Sequence, residues 1–205
     1  MSYDLGPAFE GATVAPGTNL LVAGTPLSGK RRLALSGLAQ GATQDQRSVI
    51  ITVRDTAEVL LEEFRRQLAA PETARVGVVD CITNHQGRSE SNTDRVRYAS
   101  SPTDLTGIGI EFSELLEEFH GRGTGRTRVA LDSLSPLLIY SDLQTVFRFL
   151  HVLTSRIEDA DAVGIHTIES TAHDAETINT LKQLFDGAVE LEGGSESEPS
   201  VRVSG

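Results

Sequence analysis

Gly24-Thr25-Pro26-Leu27-Ser28-Gly29-Lys30-Arg31 is the stretch on which the reading of this chain turns. An apolar run, Leu20-Leu21-Val22-Ala23, leads into it, and the helix-like Arg32-Leu33-Ala34-Leu35-Ser36-Gly37-Leu38-Ala39 follows. Strand, glycine-bounded loop, lysine and helix is the order that a phosphate-binding loop needs. Backbone N–H groups and a helix N-terminus converge there on an anion, and the lysine reaches its outer oxygens. The G-x-x-x-x-G-K spacing is complete. The next position, where a Ser or Thr hydroxyl would hold magnesium, is Arg31.

Composition narrows the setting. The 205 residues fit one domain with chain enough for a full core. No apolar run reaches the ~20 residues of a membrane helix, and Met1-Ser2-Tyr3-Asp4 does not open a secretory signal, so a cytoplasmic protein is expected. The single cysteine, Cys81, excludes an intrachain disulfide and reads as a small buried side chain at a strand end. A net charge of −11 argues against a general nucleic-acid surface, which needs clustered Lys and Arg. Of the 18 basic residues only Lys30 and Lys182 are lysines. Such a composition suits a halophilic cytoplasm, where hydrated carboxylates keep a protein soluble and salt screens their repulsion.

Residues 1–17, rich in Gly and Pro, read as a lead-in loop before a domain over 18–192, with 193–205 a flexible tail that ends in a short edge strand at Val201-Arg202-Val203. Ser48-Val49-Ile50-Ile51-Thr52-Val53 is a β-branched run and reads as a buried strand. A helix begins at Asp55, with Ala57, Leu60, Leu61, Phe64 and Leu68 on one face and Pro71 beyond it. Further strands are Val76–Cys81, Val129–Asp132, Val163–Ile168 and Gly187–Leu191. Helical spacing recurs from Ile108 to Phe119, from Leu143 to Ile157 and from Asp174 to Phe185. Ser141, with Gln144 three residues on, reads as a capping box for the second of these. Residues 83–95 form a long polar loop whose His85 has no second ligand for a metal. Arg122, Arg126 and Arg128 read as a solvated turn or as a patch for a partner or nucleic acid. Alternating strands and amphipathic helices predict an α/β fold: a mostly parallel central sheet, helices on both faces, and ligand at the carboxyl ends of the strands.

These residues in this order resemble a RecA-superfamily ATPase, and within it the KaiC-like branch. Gly24–Lys30 matches its Walker A loop, Val129-Ala130-Leu131-Asp132-Ser133-Leu134-Ser135 its Walker B strand, and Phe185-Asp186-Gly187-Ala188-Val189-Glu190-Leu191 a strand near the end. The chain is similar in particular to short, acidic KaiC-like proteins of halophilic archaea whose nucleotide sites are eroded. The resemblance implies a RecA-like P-loop NTPase fold, ATP as ligand and Mg2+ as the family's ion. By position, the Thr25, Pro26, Leu27, Ser28 and Gly29 backbone would cradle phosphates, Lys30 would pair with the β and γ phosphates, and Asp132 would orient magnesium through water. Where the family carries two glutamates after the second strand, this chain has Val53-Arg54-Asp55. Asp55 is a candidate catalytic base, and it is also the expected N-cap of the next helix with Glu58 at the capping-box position. Arg31 has no acceptor to offer a metal; it either neutralises phosphate charge directly or points to solvent. Arg31 and Arg32 beside Lys30 also oppose the helix dipole unless an anion compensates. Thr167 and Glu169 are candidates to read the γ-phosphate or to cap the loop. Of the family's inter-subunit basic finger only Arg202 remains.

The departures at Arg31, at Asp55 and in the short C-terminal strands point to a nucleotide-binding regulatory module with a degenerate catalytic site, acting through protein partners. A slow ATPase using Asp55 and Asp132 is one alternative, and a pseudo-ATPase scaffold with no nucleotide function is another. Hydrolysis ranks below binding because losing a positioning or electrostatic group typically costs ~10²–10³-fold in rate. The resemblance implies ring assembly, whereas the short C-terminal strands fit a monomer or dimer; the oligomer stays open.

Overall fold

Six-residue strands, each buried along its whole length around an apolar run of three or four, build the centre of a sheet that is covered on both faces. The computed structural model describes residues 2–71, 73–121, 125–191 and 200–202. In chain order the elements are β1 (Tyr3–Asp4), β2 (Thr13–Val14), β3 (Asn19–Gly24), α1 (Lys30–Ala42), β4 (Arg47–Thr52), α2 (Ala57–Arg65), β5 (Arg75–Asp80), β6 (Val96–Tyr98), α3 (Leu105–Gly121), β7 (Thr127–Asp132), α4 (Leu134–Tyr140), α5 (Leu143–Asp159), β8 (Val163–Glu169), α6 (Ala175–Lys182), β9 (Gly187–Leu191) and β10 (Ser200–Arg202). The main sheet has the order β10-β9-β3-β8-β7-β4-β5-β6. Neighbours from β9 to β6 are parallel, and β10 is antiparallel on the β9 edge. The predicted α/β class and mostly parallel sheet hold.

Side-chain alternation divides the core into two layers. Leu20 and Val22 of β3 pack with Leu33 and Leu38 of α1 and with Leu60 and Phe64 of α2. Leu21 and Ala23 face the other way, toward Phe112 of α3, Leu150 of α5 and Leu181 of α6. The chain therefore leaves β3 over one face through α1, and leaves the adjacent β8 over the other through α6. Strand order reverses between β3 and β8, and the crevice above their carboxyl ends is where an open α/β sheet accepts a ligand.

Several local expectations change. Residues 1–17 are more than a lead-in loop: β1 and β2 pair antiparallel, and Leu5 and Phe9 are fully buried against the α1 layer. Asp55 is not the N-cap of α2. Thr56 holds that position without a side-chain bond, and the first free amide, Ala57 N, is taken at 2.7 Å by Asp80 Oδ2 from the neighbouring strand. Glu58 consequently has no capping box to complete. The second box fails in the same way, because α5 is capped one residue later, by Asp142, which accepts from Thr145 N at 2.9 Å. Helix α4 went unread, being a single short segment with too few turns to show a period.

Of the basic cluster, Arg126 and Arg128 are neither a solvated turn nor a patch. Arg122 lies outside the described residues, as do 193–199 and Val203. Arg128 is fully buried at the amino end of β7 and donates to Gly37 O at 2.6 Å, Asp4 O at 2.6 Å and Gln46 Oε1 at 2.7 Å. Arg126 lies over the Tyr3 ring, 3.5 Å from its centre. Room for Arg128 exists because residue 41 is glycine: a Cβ there would sit 2.7 Å from Arg128 Nε. Burial, reinforced by the neighbouring Arg126, pulls the Arg128 pKa down to about 10. No helix among the described residues is long and apolar enough to cross a membrane.

Candidate functional site

Chain geometry brings the site together before any side chain is considered. Parallel register sets Gly24 of β3 level with Glu169 of β8, and Thr52 of β4 level with Asp132 of β7. All four close their strands at the same edge of the sheet. The loop from Gly24 to Gly29 rises from that edge and turns into α1. Ser28 N donates to Thr25 O at 3.2 Å, and Leu27 sits at the exposed tip with φ 62°, a left-handed conformation that costs a branched residue about 1–2 kcal/mol. Gly29, φ 84°, is the N-cap position, where the missing Cβ lets the chain reverse into the helix. A Cβ on Gly24 would stand 2.4 Å from Ser28 Oγ, so the loop closes tightly on its own base.

Lys30, the first residue of α1, turns back into this loop. Its Nζ donates to Thr25 O at 2.9 Å and to Glu169 Oε2 at 2.8 Å. Glu169 is held in turn by its own amide, which donates to Ser135 Oγ at 2.9 Å. Of the two groups expected to sense a phosphate, Glu169 thus occupies the lysine, while Thr167 Oγ1 donates to Asp132 Oδ1 at 3.1 Å. His166 stands further down β8, fully buried, its Nε2 3.3 Å from Asn19 Oδ1; burial holds its pKa down at about 3, so it is neutral.

Arg31 does not point to solvent. It turns under the loop into three carboxylates carried by three different elements. Nη1 donates to Asp55 Oδ2, and Nε lies 3.1 Å from Glu63 Oε2 and 3.1 Å from Asp132 Oδ2. The Arg31 side chain is 12% exposed and that of Asp132 is 4% exposed, so solvent screens little of that contact, and more of those to the half-buried Asp55 and Glu63. Burial disfavours the guanidinium charge, but Asp132, Asp55 and Glu63 outweigh it and hold the Arg31 pKa above its ordinary value. Neither 3.1 Å contact has hydrogen-bond alignment: Arg31 Nε, Arg31 Nη2 and Asp132 Oδ2 are buried without a hydrogen-bond partner, as are Thr25 Oγ1, Ser28 Oγ and Glu169 Oε1. Buried polar groups normally find partners, so this concentration at one end of the sheet marks a place not built for packing alone.

The site residues read from the sequence therefore meet. Gly24 to Lys30 form the loop, and Arg31, Asp55 and Asp132 form one ion-pair cluster beside it. Asp132 does not offer an open metal position. Its Oδ1 is bound by Thr167 and its Oδ2 faces a guanidinium, and no group of three or more His, Cys, Asp or Glu side chains among the described residues is disposed to hold a metal. The residues present do not fit a magnesium ion. Glu63 was missed, and nothing in the sequence signals it: an acid on the polar face of an amphipathic helix reads as solvated. Asp80 was missed as well; it is fully buried and accepts from Ala57 N, Ile82 N, Thr83 N and Thr83 Oγ1 between 2.7 and 2.8 Å, which makes it the brace of the loops beside the cluster. Cys81 next to it is buried in the core as expected, its thiol pKa pushed up by burial. The polar segment is exposed from His85 to Arg95.

Comparison with known proteins gives a family and no function. No curated protein matches the sequence. Residues 17–191 match a family of unknown function, DUF7504, from just ahead of β3 to the end of β9. The match takes in the loop, the ion-pair cluster and nearly the whole sheet, and the chain belongs to the DUF7504 family.

Proposed function

We propose that this chain is a RecA-like, KaiC-like P-loop module that binds the phosphates of a nucleotide such as ATP without turning it over efficiently, and that it acts through protein partners. The observation that carries the reading is Lys30 Nζ, folded into its own loop at a helix N-terminus above the point where strand order reverses. Its acceptors there, a backbone carbonyl and the Glu169 carboxylate, stand in for the oxygens of a phosphate. The N-terminus of α1 supplies free amides and a favourable dipole to an incoming anion. Thr25 Oγ1 and Ser28 Oγ, buried and unpartnered, are further donors that an oxyanion would satisfy. Slow hydrolysis is the weaker reading, since Asp55 and Asp132, the candidate base and metal ligand, are both engaged by Arg31.

A scaffold with no nucleotide function draws on a different observation. Three cations, Lys30, Arg31 and the more exposed Arg54, face four carboxylates, Asp55, Glu63, Asp132 and Glu169, so the cluster carries one excess negative charge before any phosphate arrives. Calorimetric titration with ATP, ADP and pyrophosphate at molar KCl separates the two. Saturable binding that disappears in Lys30→Ala supports the nucleotide module. Equal silence from the wild type and from folded Lys30→Ala leaves the scaffold.

A further inference from the structure

We propose that the groove between α3 and α5 is a self-complementary interface that seats a second copy of this chain. The groove encloses about 540 Å³ on the face of the sheet away from α1. Its floor is apolar and buried, with Phe112 0% and Leu153 2% exposed, while Ile110 and Val152 at its mouth are each 53% exposed. The two walls carry opposite charge. On α3, Ile110, Glu114 and Glu117 form one stripe at helical spacing; on α5, Arg148, Val152 and Arg156 form another. All four charged side chains are exposed, and none makes an ion pair among the described residues. At a net charge of −11, two copies repel at long range, so a contact between them needs acid facing base where they touch.

Helix direction decides how the walls face each other. Helix α3 leads to β7 and α5 to β8, which are parallel neighbours, so the two helices run the same way. A two-fold axis along the groove lays α3 of one copy over α5 of the other, acidic wall on basic wall, and symmetry makes the contact twice. A two-fold axis across the groove sets each wall on its own kind, which charge disfavours. In the first arrangement Ile110 and Val152 are covered inside a rim of ion pairs, an apolar centre with a polar edge. Gly109 is a separate observation on the same wall. It lies inside α3, where glycine destabilises a helix relative to alanine, and a Cβ there would meet nothing within 4 Å. No contact within the chain asks for glycine; the bare backbone is room for a side chain of the second copy.

The inference does not rest on the nucleotide reading, and Lys30→Ala should leave assembly unchanged. The test is sedimentation-velocity ultracentrifugation of the full chain at molar KCl over a micromolar to millimolar concentration series. The wild type is expected to sediment as a dimer that dissociates on dilution. Arg148→Glu with Arg156→Glu makes both walls acidic, and Glu114→Arg with Glu117→Arg makes both basic. Each double variant should be monomeric, its dissociation constant raised at least about 100-fold by like charges in contact. Mixed in equal amounts, the two should pair with each other. A wild type that stays monomeric across the series overturns the proposal and leaves the groove to a helix of another protein. A wild-type dimer that survives both reversals overturns it as well, and so do reversed chains that fail to pair on mixing. Should either double variant fail to fold, Val152→Glu at its half-exposed position takes its place: a monomer is expected, and a persisting dimer overturns the proposal.

Discussion

Arg128 is fully buried and Arg31 mostly so, at opposite ends of the same sheet, and they are held in opposite ways. At the amino end, Arg128 makes no ion pair among the described residues, Asp4 acts on it only at longer range, and its Nε, Nη1 and Nη2 each donate to a neutral oxygen within 2.7 Å. At the carboxyl end, Arg31 touches three carboxylates, and two of its nitrogens still lack an aligned acceptor. The first arrangement satisfies hydrogen-bond geometry and leaves charge unbalanced; the second balances part of the charge and leaves geometry unsatisfied. Structural burial selects for satisfied donors, because each orphan costs about 1–3 kcal/mol. A site that exchanges partners tolerates orphans, because a ligand removes them.

The comparison breaks first at Arg128. Arg128→Met should lower stability by roughly 3–5 kcal/mol in urea unfolding, because it removes the one donor group shared by Gly37 O, Asp4 O and Gln46 Oε1, and should leave nucleotide binding by the folded chain unchanged. A loss under ~1 kcal/mol would show that the amino end is not a structural anchor.

Asp80 sharpens it, because it is a carboxylate at the functional end with every role structural. Asp80→Ala should cost roughly 2–4 kcal/mol by the same measurement, and Asp80→Asn about half of that, as one acceptor oxygen survives. Equal effects of the two would mean that packing, and not acceptance, is what Asp80 supplies.

His166 gives the comparison a pH axis. The unfolded chain binds a proton on this side chain below about pH 6.5, while the folded chain resists until about pH 3. Between those values the unfolded state holds more protons, so stability falls as pH falls, by about 1.4 kcal/mol per unit for one such group, and is fully present above pH 6.5. His166→Gln should flatten that slope between pH 6.5 and 4.5; an unchanged slope would assign acid sensitivity to other groups. The smallest effect belongs to Lys30→Ala, which should shift stability by no more than about 1 kcal/mol, since Glu169 remains partly open to water once its partner is gone. A large loss there would make Lys30 an anchor like Arg128.

How much of this was legible in the sequence depends on the range of the interaction. The buried strands and amphipathic helices follow from periodicity, and the loop follows from a spacing only seven residues long, so local physics was enough for both. Both capping assignments missed, and each by a single residue. At α2 the acceptor comes from Asp80, on another strand, which no local pattern contains. At α5 the choice lay between adjacent side chains, Ser141 and Asp142, and geometry favoured the second.

By itself, then, the sequence determined the α/β alternation, the position of Gly24–Lys30 between a strand and a helix, and the burial of the apolar faces, because burial and turn chemistry act over a few residues. Only the tertiary structure decided what Arg31 does. Its partners lie 24, 32 and 101 positions along the chain, and parallel register at one sheet edge is what brings Asp55, Glu63 and Asp132 to it. Arg128, 97 positions further along the chain, became a buried anchor because the fold brings Asp4, Gly37 and Gln46 to it. Electrostatic roles are set by which charges meet in low dielectric, and chain order does not encode that meeting.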